Sequence, residues 1–299
     1  MTNTIDIRRP ALTLLGTEPY RAGFEYVLHA LTKAPQRAGG DGHPVIIFPG
    51  LASNGRAVAP LRRYCDALGY RAMDWGRGFN TGPRGDLETW LRVLAEHTAQ
   101  VMAPFGNSAT LIGWSLGGLY AREVAKLMQT RVRQVITIGS PFNAERDHSN
   151  IGWAYRLIKR GGPSLDTTLS ARLRTAPDVP TTSIFSRTDG VVAWQTCTHD
   201  GASDRIEDIE VRSSHIGMGW NPAVLKVIAD RLAQRPGRWV PYADSVGPGV
   251  WPTASGAPIT AEDSMRFSAV RQQRAGGSHR EPRGRGVYAG SDRPLAKCP

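Results

Sequence analysis

Ser115 sits in Gly113-Trp114-Ser115-Leu116-Gly117-Gly118. Before it runs an apolar stretch, Ala109-Thr110-Leu111-Ile112, and after it come Leu119, Val124, Leu127 and Met128 at helical spacing. G-x-S-x-G between a strand and a helix predicts a nucleophile elbow. Such a turn projects the serine hydroxyl away from the backbone, towards a substrate and a base. It crowds the residues two before and two after the serine, and glycine at 113 and 117 removes the Cβ atoms that would clash. The following helix aims its unpaired N–H groups and positive dipole end at the same point, where an oxyanion could be stabilised.

A serine hydroxyl is a weak nucleophile at neutral pH and needs a positioned base. The chain has seven histidines. His29 and His97 fall within predicted helices, His43 precedes its strand, His148 lies in an irregular stretch, His199 in a polar loop and His279 in the tail. His215 alone directly follows the last strand, among small residues in Ser213-Ser214-His215-Ile216-Gly217. The base needs an acid to fix its tautomer. Asp189, in Ser186-Arg187-Thr188-Asp189-Gly190-Val191-Val192, follows the preceding strand and gives the order Ser, Asp, His. Gly190 predicts a tight turn that aims the carboxylate, although a turn aspartate can also bond its own backbone. Asp200 is the runner-up acid, and Asp178 is weaker because it precedes its strand. The two oxyanion donors expected are the N–H groups of Leu116 and of Leu51, since Pro49 has none.

These residues must be carried by a regular scaffold. Apolar β-rich runs begin near residues 45, 70, 109, 135, 181 and 206. Between them, helical patterns run from about Arg56 to Leu68, Asp86 to Ala103, and after the elbow; a last one runs from Pro222 to Leu232. Asp86 is a plausible N-cap. Alternation of this kind predicts an α/β fold with a mainly parallel sheet of about six strands and right-handed crossovers. Active sites in such sheets lie at the C-terminal strand ends, where Leu51, Ser115, Asp189 and His215 all fall.

Residues 1–43 read as an N-terminal helical segment with an apolar face of Tyr20, Phe24, Val27, Leu28 and Leu31. Residues 44–240 read as the catalytic domain. Within it, 143–180 interrupt the rhythm as an insertion carrying Trp153, Tyr155, Leu157 and Ile158. From 241 to 299 periodicity is lost. From Arg266 onward there are eight Lys or Arg against two Asp or Glu, so the tail holds much of the net charge of +11. With few aromatics and no pattern, it reads as a solvated, disordered tail rather than a nucleic-acid arm.

Hydrophobic residues at 40% and charged residues at 21% suit a soluble globular protein with a sizeable core. No apolar run reaches the roughly 18 residues that span a bilayer, and no secretory signal is evident, so a cytoplasmic protein is expected. Cys65, Cys197 and Cys298 match no zinc spacing or disulfide framework. No metal or cofactor is expected. Gly76-Arg77-Gly78-Phe79-Asn80-Thr81-Gly82 invites reading as a dinucleotide-binding turn. Its third glycine comes one residue late, and Pro83 and Gly85 delay the helix.

Taken together, VIIFPGL, GWSLGG, SRTDGVV and SSHIGMG, in that order, resemble a serine esterase or lipase of the α/β-hydrolase superfamily over roughly residues 44–234. The resemblance implies a sheet beginning where larger members have their third strand, and a cap or lid at 143–180. The family usually has His-Gly in the first loop, where this chain has Pro49-Gly50. The expected activity is hydrolysis of carboxylic esters with an apolar acyl group, through an acyl-enzyme on Ser115. Its partner is a small-molecule ester; nucleic acid is not expected, and peripheral lipid contact is open. Acyl transfer or thioester cleavage would use the same residues, and a non-catalytic binding protein on this fold is the alternative from another class.

Overall fold

In β1 (Pro44–Phe48) every residue is buried, and alternate side chains leave it in opposite directions. Val45 and Ile47 enter one apolar cluster, Ile46 and Phe48 another. That is the mark of a strand covered on both faces. The computed structural model describes residues 9–32, 39–143, 167–201 and 203–242. Six strands form one all-parallel sheet: β1, β2 (Arg71–Asp74), β3 (Ala109–Trp114), β4 (Val132–Ile138), β5 (Thr181–Phe185) and β6 (Ile206–Glu210). Their order is β2-β1-β3-β4-β5-β6. The outermost strands carry most of the charges, Arg71 and Asp74 on β2, Glu207, Asp208 and Glu210 on β6, as edge strands should; Arg133 on β4 is the exception among the six strands.

Helices cover both faces. On one side α2 (Ala59–Ala67) and the last helix, Pro222–Leu232, bring Leu61, Cys65, Val224, Leu225 and Ile228 against Ile112, Ile136 and Ile184. On the other, α3 (Leu87–Met102) and α4 (Leu116–Met128) bring Leu94, Met102, Leu119 and Val124 against Leu111 and Val135. Each such aliphatic side chain contributes about 1.5–3 kcal/mol when fully buried. Asp86 caps α3, its carboxylate accepting the Thr89 N–H at 2.8 Å. The predicted insertion contains α5 (Thr167–Arg174) in its described part, and α6 is the Pro222–Leu232 helix. Residues 144–166, with the aromatic patch expected there, and the tail beyond 242 lie outside the described residues.

The N-terminal helix α1 (Leu12–Leu31) forms as expected but turns the other way. Tyr20, Phe24, Val27, Leu28 and Leu31, read as its buried face, are exposed; Glu18, Ala22 and Glu25 are buried instead. The reason is what lies beneath the helix. The surface there is the loop of residues 213–216 and the turn at Gly190, whose backbone N–H groups need acceptors that an apolar face could not supply.

The chain passes from β1 outward to β2 and then back across to β3. The crevice between the C-terminal ends of β1 and β3 is therefore the switch point of the sheet, the usual ligand position in such folds.

Candidate active site

β3 delivers Ser115 to this crevice. Its backbone is at φ 53°, ψ −123°, a conformation that is strained for any L-residue. The neighbours make the strain possible. A Cβ on Gly113 would strike the Gly117 and Gly118 backbone, and one on Gly117 would strike the carbonyls of Phe48 and Pro49. The elbow is pinned by the Ser115 N–H, which donates to the Ile138 carbonyl at 2.8 Å. Leu116 opens α4 directly after it, so the helix N-terminus faces the hydroxyl.

His215, 7% exposed, reaches Ser115 from the loop after β6. Its Nε2 is 3.1 Å from Ser115 Oγ and its Nδ1 is 2.6 Å from Asp189 Oδ2. With Nδ1 carrying the proton, Nδ1–H donates to the carboxylate and Nε2 accepts the serine hydroxyl. Asp189 divides its oxygens between two tasks. Oδ1 accepts the N–H groups of Val191 and Val192 at 2.8 and 2.7 Å, and Oδ2 faces the imidazole. The self-bonded turn and the carboxylate that faces His215 are thus one arrangement. Gly190 owes its place to close approach rather than to its φ, because a Cβ there would press on the Leu14 and Leu15 backbone of α1. Burial by itself would lower the His215 pKa. The Asp189 charge and hydrogen bond, with the Glu18 charge, outweigh it and hold the imidazole above the ordinary histidine value.

Residues between the candidates brace them. Ser186 Oγ donates to the Ser213 carbonyl at 2.8 Å and accepts the Ser213 N–H at 3.1 Å, tying the acid loop to the histidine loop. Trp114 Nε1 donates to the His215 carbonyl at 3.2 Å. The Leu51 loop crosses close to the elbow, so that a Cβ on Gly50 would lie 3.3 Å from Ser115 Cβ. Ala52, at φ 54°, donates its N–H to the Asn80 carbonyl at 2.9 Å, and Asn80 Nδ2 donates to the Pro49 carbonyl at 2.9 Å. The glycine-rich stretch 76–82 therefore serves as a brace for residues 49–53.

The other histidines and acids lie elsewhere. His199 pairs through Nδ1 with Asp208 Oδ1 at 2.7 Å, and its Nε2 accepts from the Arg122 guanidinium at 2.9 Å. His43 bonds Asp41 and Thr110 at the opposite end of the sheet. Asp200 meets Asn143 Nδ2 at 2.8 Å and Arg174 at 3.8 Å, and Asp178 is exposed before β5. His148 and His279 lie outside the described residues. Sequence reasoning passed over Asn80, Ser186, Glu18 and Glu25. Nothing in their local spacing separates a buried bracing side chain from a solvated one.

Among the described residues no helix is long and apolar enough to cross a membrane, and no group of three His, Cys, Asp or Glu could hold a metal ion.

A six-stranded parallel sheet with a serine elbow at its switch point defines the α/β-hydrolase class. The chain belongs to the alpha/beta hydrolase family, which it matches over residues 45–292. It is 31% identical over 113 residues to the pimeloyl-[acyl-carrier protein] methyl ester esterase of Shewanella woodyi. That match covers 37% of this chain and 41% of the relative, so the chain spans about two fifths of the relative's length. Similar solved structures include Aspergillus fumigatus lipase B, with 17% identity, TM-score 0.47, and 68% of this chain and 56% of that chain covered. An alpha/beta superfamily hydrolase from Oenococcus oeni PSU-1 has 18% identity, TM-score 0.45, and 64% and 94% covered.

Proposed function

We propose that the protein is a serine hydrolase of carboxylic esters with an apolar acyl group. Ser115 attacks the ester carbonyl while His215 Nε2 takes its proton. His215 then protonates the leaving alcohol, and an acyl-enzyme remains on Ser115. Water, deprotonated by His215, releases the acid. Asp189 holds the imidazole with Nε2 unprotonated towards the serine and stabilises the imidazolium that forms. The N–H groups of Leu51 and Leu116 receive the oxyanion. In this reading residues 44–240 are the catalytic unit, residues 143–180 its cap, and residues 241–299 a solvated basic tail.

The observation that carries the proposal is the hydrogen-bonded chain from Ser115 Oγ through His215 to Asp189, ending on a serine held at φ 53° beside a helix N-terminus. The Shewanella woodyi relative is an ester hydrolase by name, which agrees with it. The test is hydrolysis of p-nitrophenyl esters from acetate to long acyl chains, by wild type and Ser115→Ala. Activity confined to wild type, with fluorophosphonate labelling of Ser115, is the expected result. A wild type inert to every ester and to the probe would move the assignment to a non-catalytic binding protein.

A further inference from the structure

Glu18 and Glu25 lie on one face of α1, two turns apart, with Ala22 between them. They are 1% and 8% exposed, although carboxylates are among the side chains least often buried. Neither fills apolar space. Glu18 Oε1 accepts the N–H of Gly190 at 2.8 Å and that of His215 itself at 3.0 Å, and Oε2 accepts the Ile216 N–H at 3.0 Å. Glu25 Oε1 accepts the Ser214 N–H at 2.7 Å, and Oε2 accepts the hydroxyls of Ser213 and Ser214 at 3.0 and 2.9 Å. Gly217 leaves room for this, since a Cβ there would collide with the Glu25 carboxylate. Trp220 Nε1 adds a bond from the same loop to the Ala22 carbonyl at 3.0 Å.

Six hydrogen bonds to two buried carboxylates are more than a surface helix needs to stay attached. All six end on the segment that bears His215 or on the residue after Asp189. Charge-assisted bonds of this kind are roughly twice as strong as neutral ones. Loops otherwise tend to be the mobile parts of a fold, and a misplacement of about 1 Å in a reacting group can cost about 100-fold in rate.

We propose that α1 is a positioning element for the base: Glu18 and Glu25 clamp the 213–216 loop and the Gly190 turn, holding His215 in register with Ser115 and Asp189. This rests on the serine-hydrolase reading above. Glu18 and Glu25 are positioning residues, since each acts through backbone or serine groups and not on substrate. Among the described residues, the charged or titratable groups facing the clamp are His215 and Asp189 in the site and Arg21, whose guanidinium lies 3.6 Å from Glu18. Glu18 adds a negative charge near the imidazole and raises its pKa, whereas the hydrogen bonds described for Glu25 all come from Ser213 and Ser214.

The test is steady-state ester hydrolysis across pH by the full-length wild type, Glu18→Gln, Glu25→Gln and Ser115→Ala, with circular dichroism to establish folding. An amide at 18 offers one accepting oxygen for three N–H groups and turns an NH2 towards one of them. Glu18→Gln should lower kcat about 10–100-fold with KM little changed. Its acid limb of kcat/KM should move to lower pH, because a cation-stabilising charge is gone. Glu25→Gln should lower kcat and leave the limb in place. A folded Glu18→Gln with wild-type kcat, or with its limb unmoved, overturns the proposal. If Glu18→Gln does not fold, a folded Glu25→Gln with wild-type kcat overturns it instead. Ser115→Ala separates the two readings: full activity in that variant defeats the serine mechanism, while loss of activity there beside a wild-type Glu18→Gln defeats only the clamp.

Discussion

Two Asp–His–hydroxyl chains stand at opposite ends of the parallel sheet. At the C-terminal end Asp189, His215 and Ser115 are linked at 2.6 and 3.1 Å. At the N-terminal end Asp41, His43 and Thr110 are linked at 2.5 and 2.9 Å. By connectivity alone the two are the same device. What differs is the hydroxyl's setting. Thr110 lies inside β3, is 0% exposed and also receives Gln134 Nε2 at 3.4 Å, so no substrate carbonyl can reach it. Ser115 stands at the end of the same strand on a strained turn, partly exposed and facing a helix N-terminus. The difference teaches that a histidine paired with an aspartate is a common way to satisfy a buried imidazole. On the serine-hydrolase reading, a strand-end elbow beside a helix N-terminus is what gives such a pair something to do.

The histidines diverge in proton affinity as well. His43 is pushed below the ordinary histidine value, first by burial and also by Arg133, against the pull of Asp41. Asp41 itself falls to about 2: partial burial would raise it, but the His43 hydrogen bonds and Arg133 prevail. His215 is raised, because Asp189 is buried with it and Glu18 adds a second negative charge. One imidazole favours staying neutral. The other favours becoming the cation that general-base catalysis creates.

The comparison can be broken at several points. Ser115→Ala should cut ester turnover by about 10⁴–10⁶-fold, while Thr110→Val should leave turnover at the wild-type level. Equal losses in both, assayed on one p-nitrophenyl ester, would erase the distinction drawn here. Asp189→Asn should cost about 10³–10⁴-fold. Its amide oxygen can still accept from Val191 and Val192, but the NH2 then faces Nδ1 and forces the proton onto Nε2, where it opposes the serine. Near-normal kcat in that variant would count against Asp189 as the orienting acid.

At the other end the expected effect is on stability. Thr110→Val removes the only donor described for His43 Nε2 and should lower unfolding free energy in urea by about 1–3 kcal/mol. The smallest effect is in pH dependence, and its sign differs between the two sites. His43, with its folded pKa lowered, stabilises the fold above about pH 6.5, and that contribution is lost as pH falls through the lowered value. His215, with its folded pKa raised, contributes fully below about pH 6.5, and that contribution is lost as pH rises through the raised value. Imidazole NMR titrations, assigned with His43→Gln and His215→Gln, should find midpoints on opposite sides of the ordinary histidine value. Coincident midpoints would remove the electrostatic half of the comparison.

Much of this molecule is written locally. Six apolar β-rich runs with helical patterns between them are enough to imply a parallel sheet, since period and run length report burial on two faces. The elbow is equally local: Gly113 and Gly117 are needed because backbone atoms within a few residues, and the adjacent strand end, occupy the space of a Cβ. His215 and Asp189 could be chosen because strand order places their loops at the same end of the sheet.

Tertiary structure alone decided what depends on residues distant in sequence. The face that α1 buries follows from unpaired N–H groups nearly 200 positions away, so an apolar stripe of correct helical period ended up outside and two glutamates inside. Asn80 braces the Pro49–Ser53 loop for a like reason, through bonds between loops that share no local pattern. That His43 and His199 are satisfied by Thr110 and Arg122, while His215 meets Ser115, is likewise invisible in spacing. Hydrophobic period records how much water a segment loses on folding. It does not record which polar groups wait on the surface it meets, and those groups determined how the loop of His215 is held.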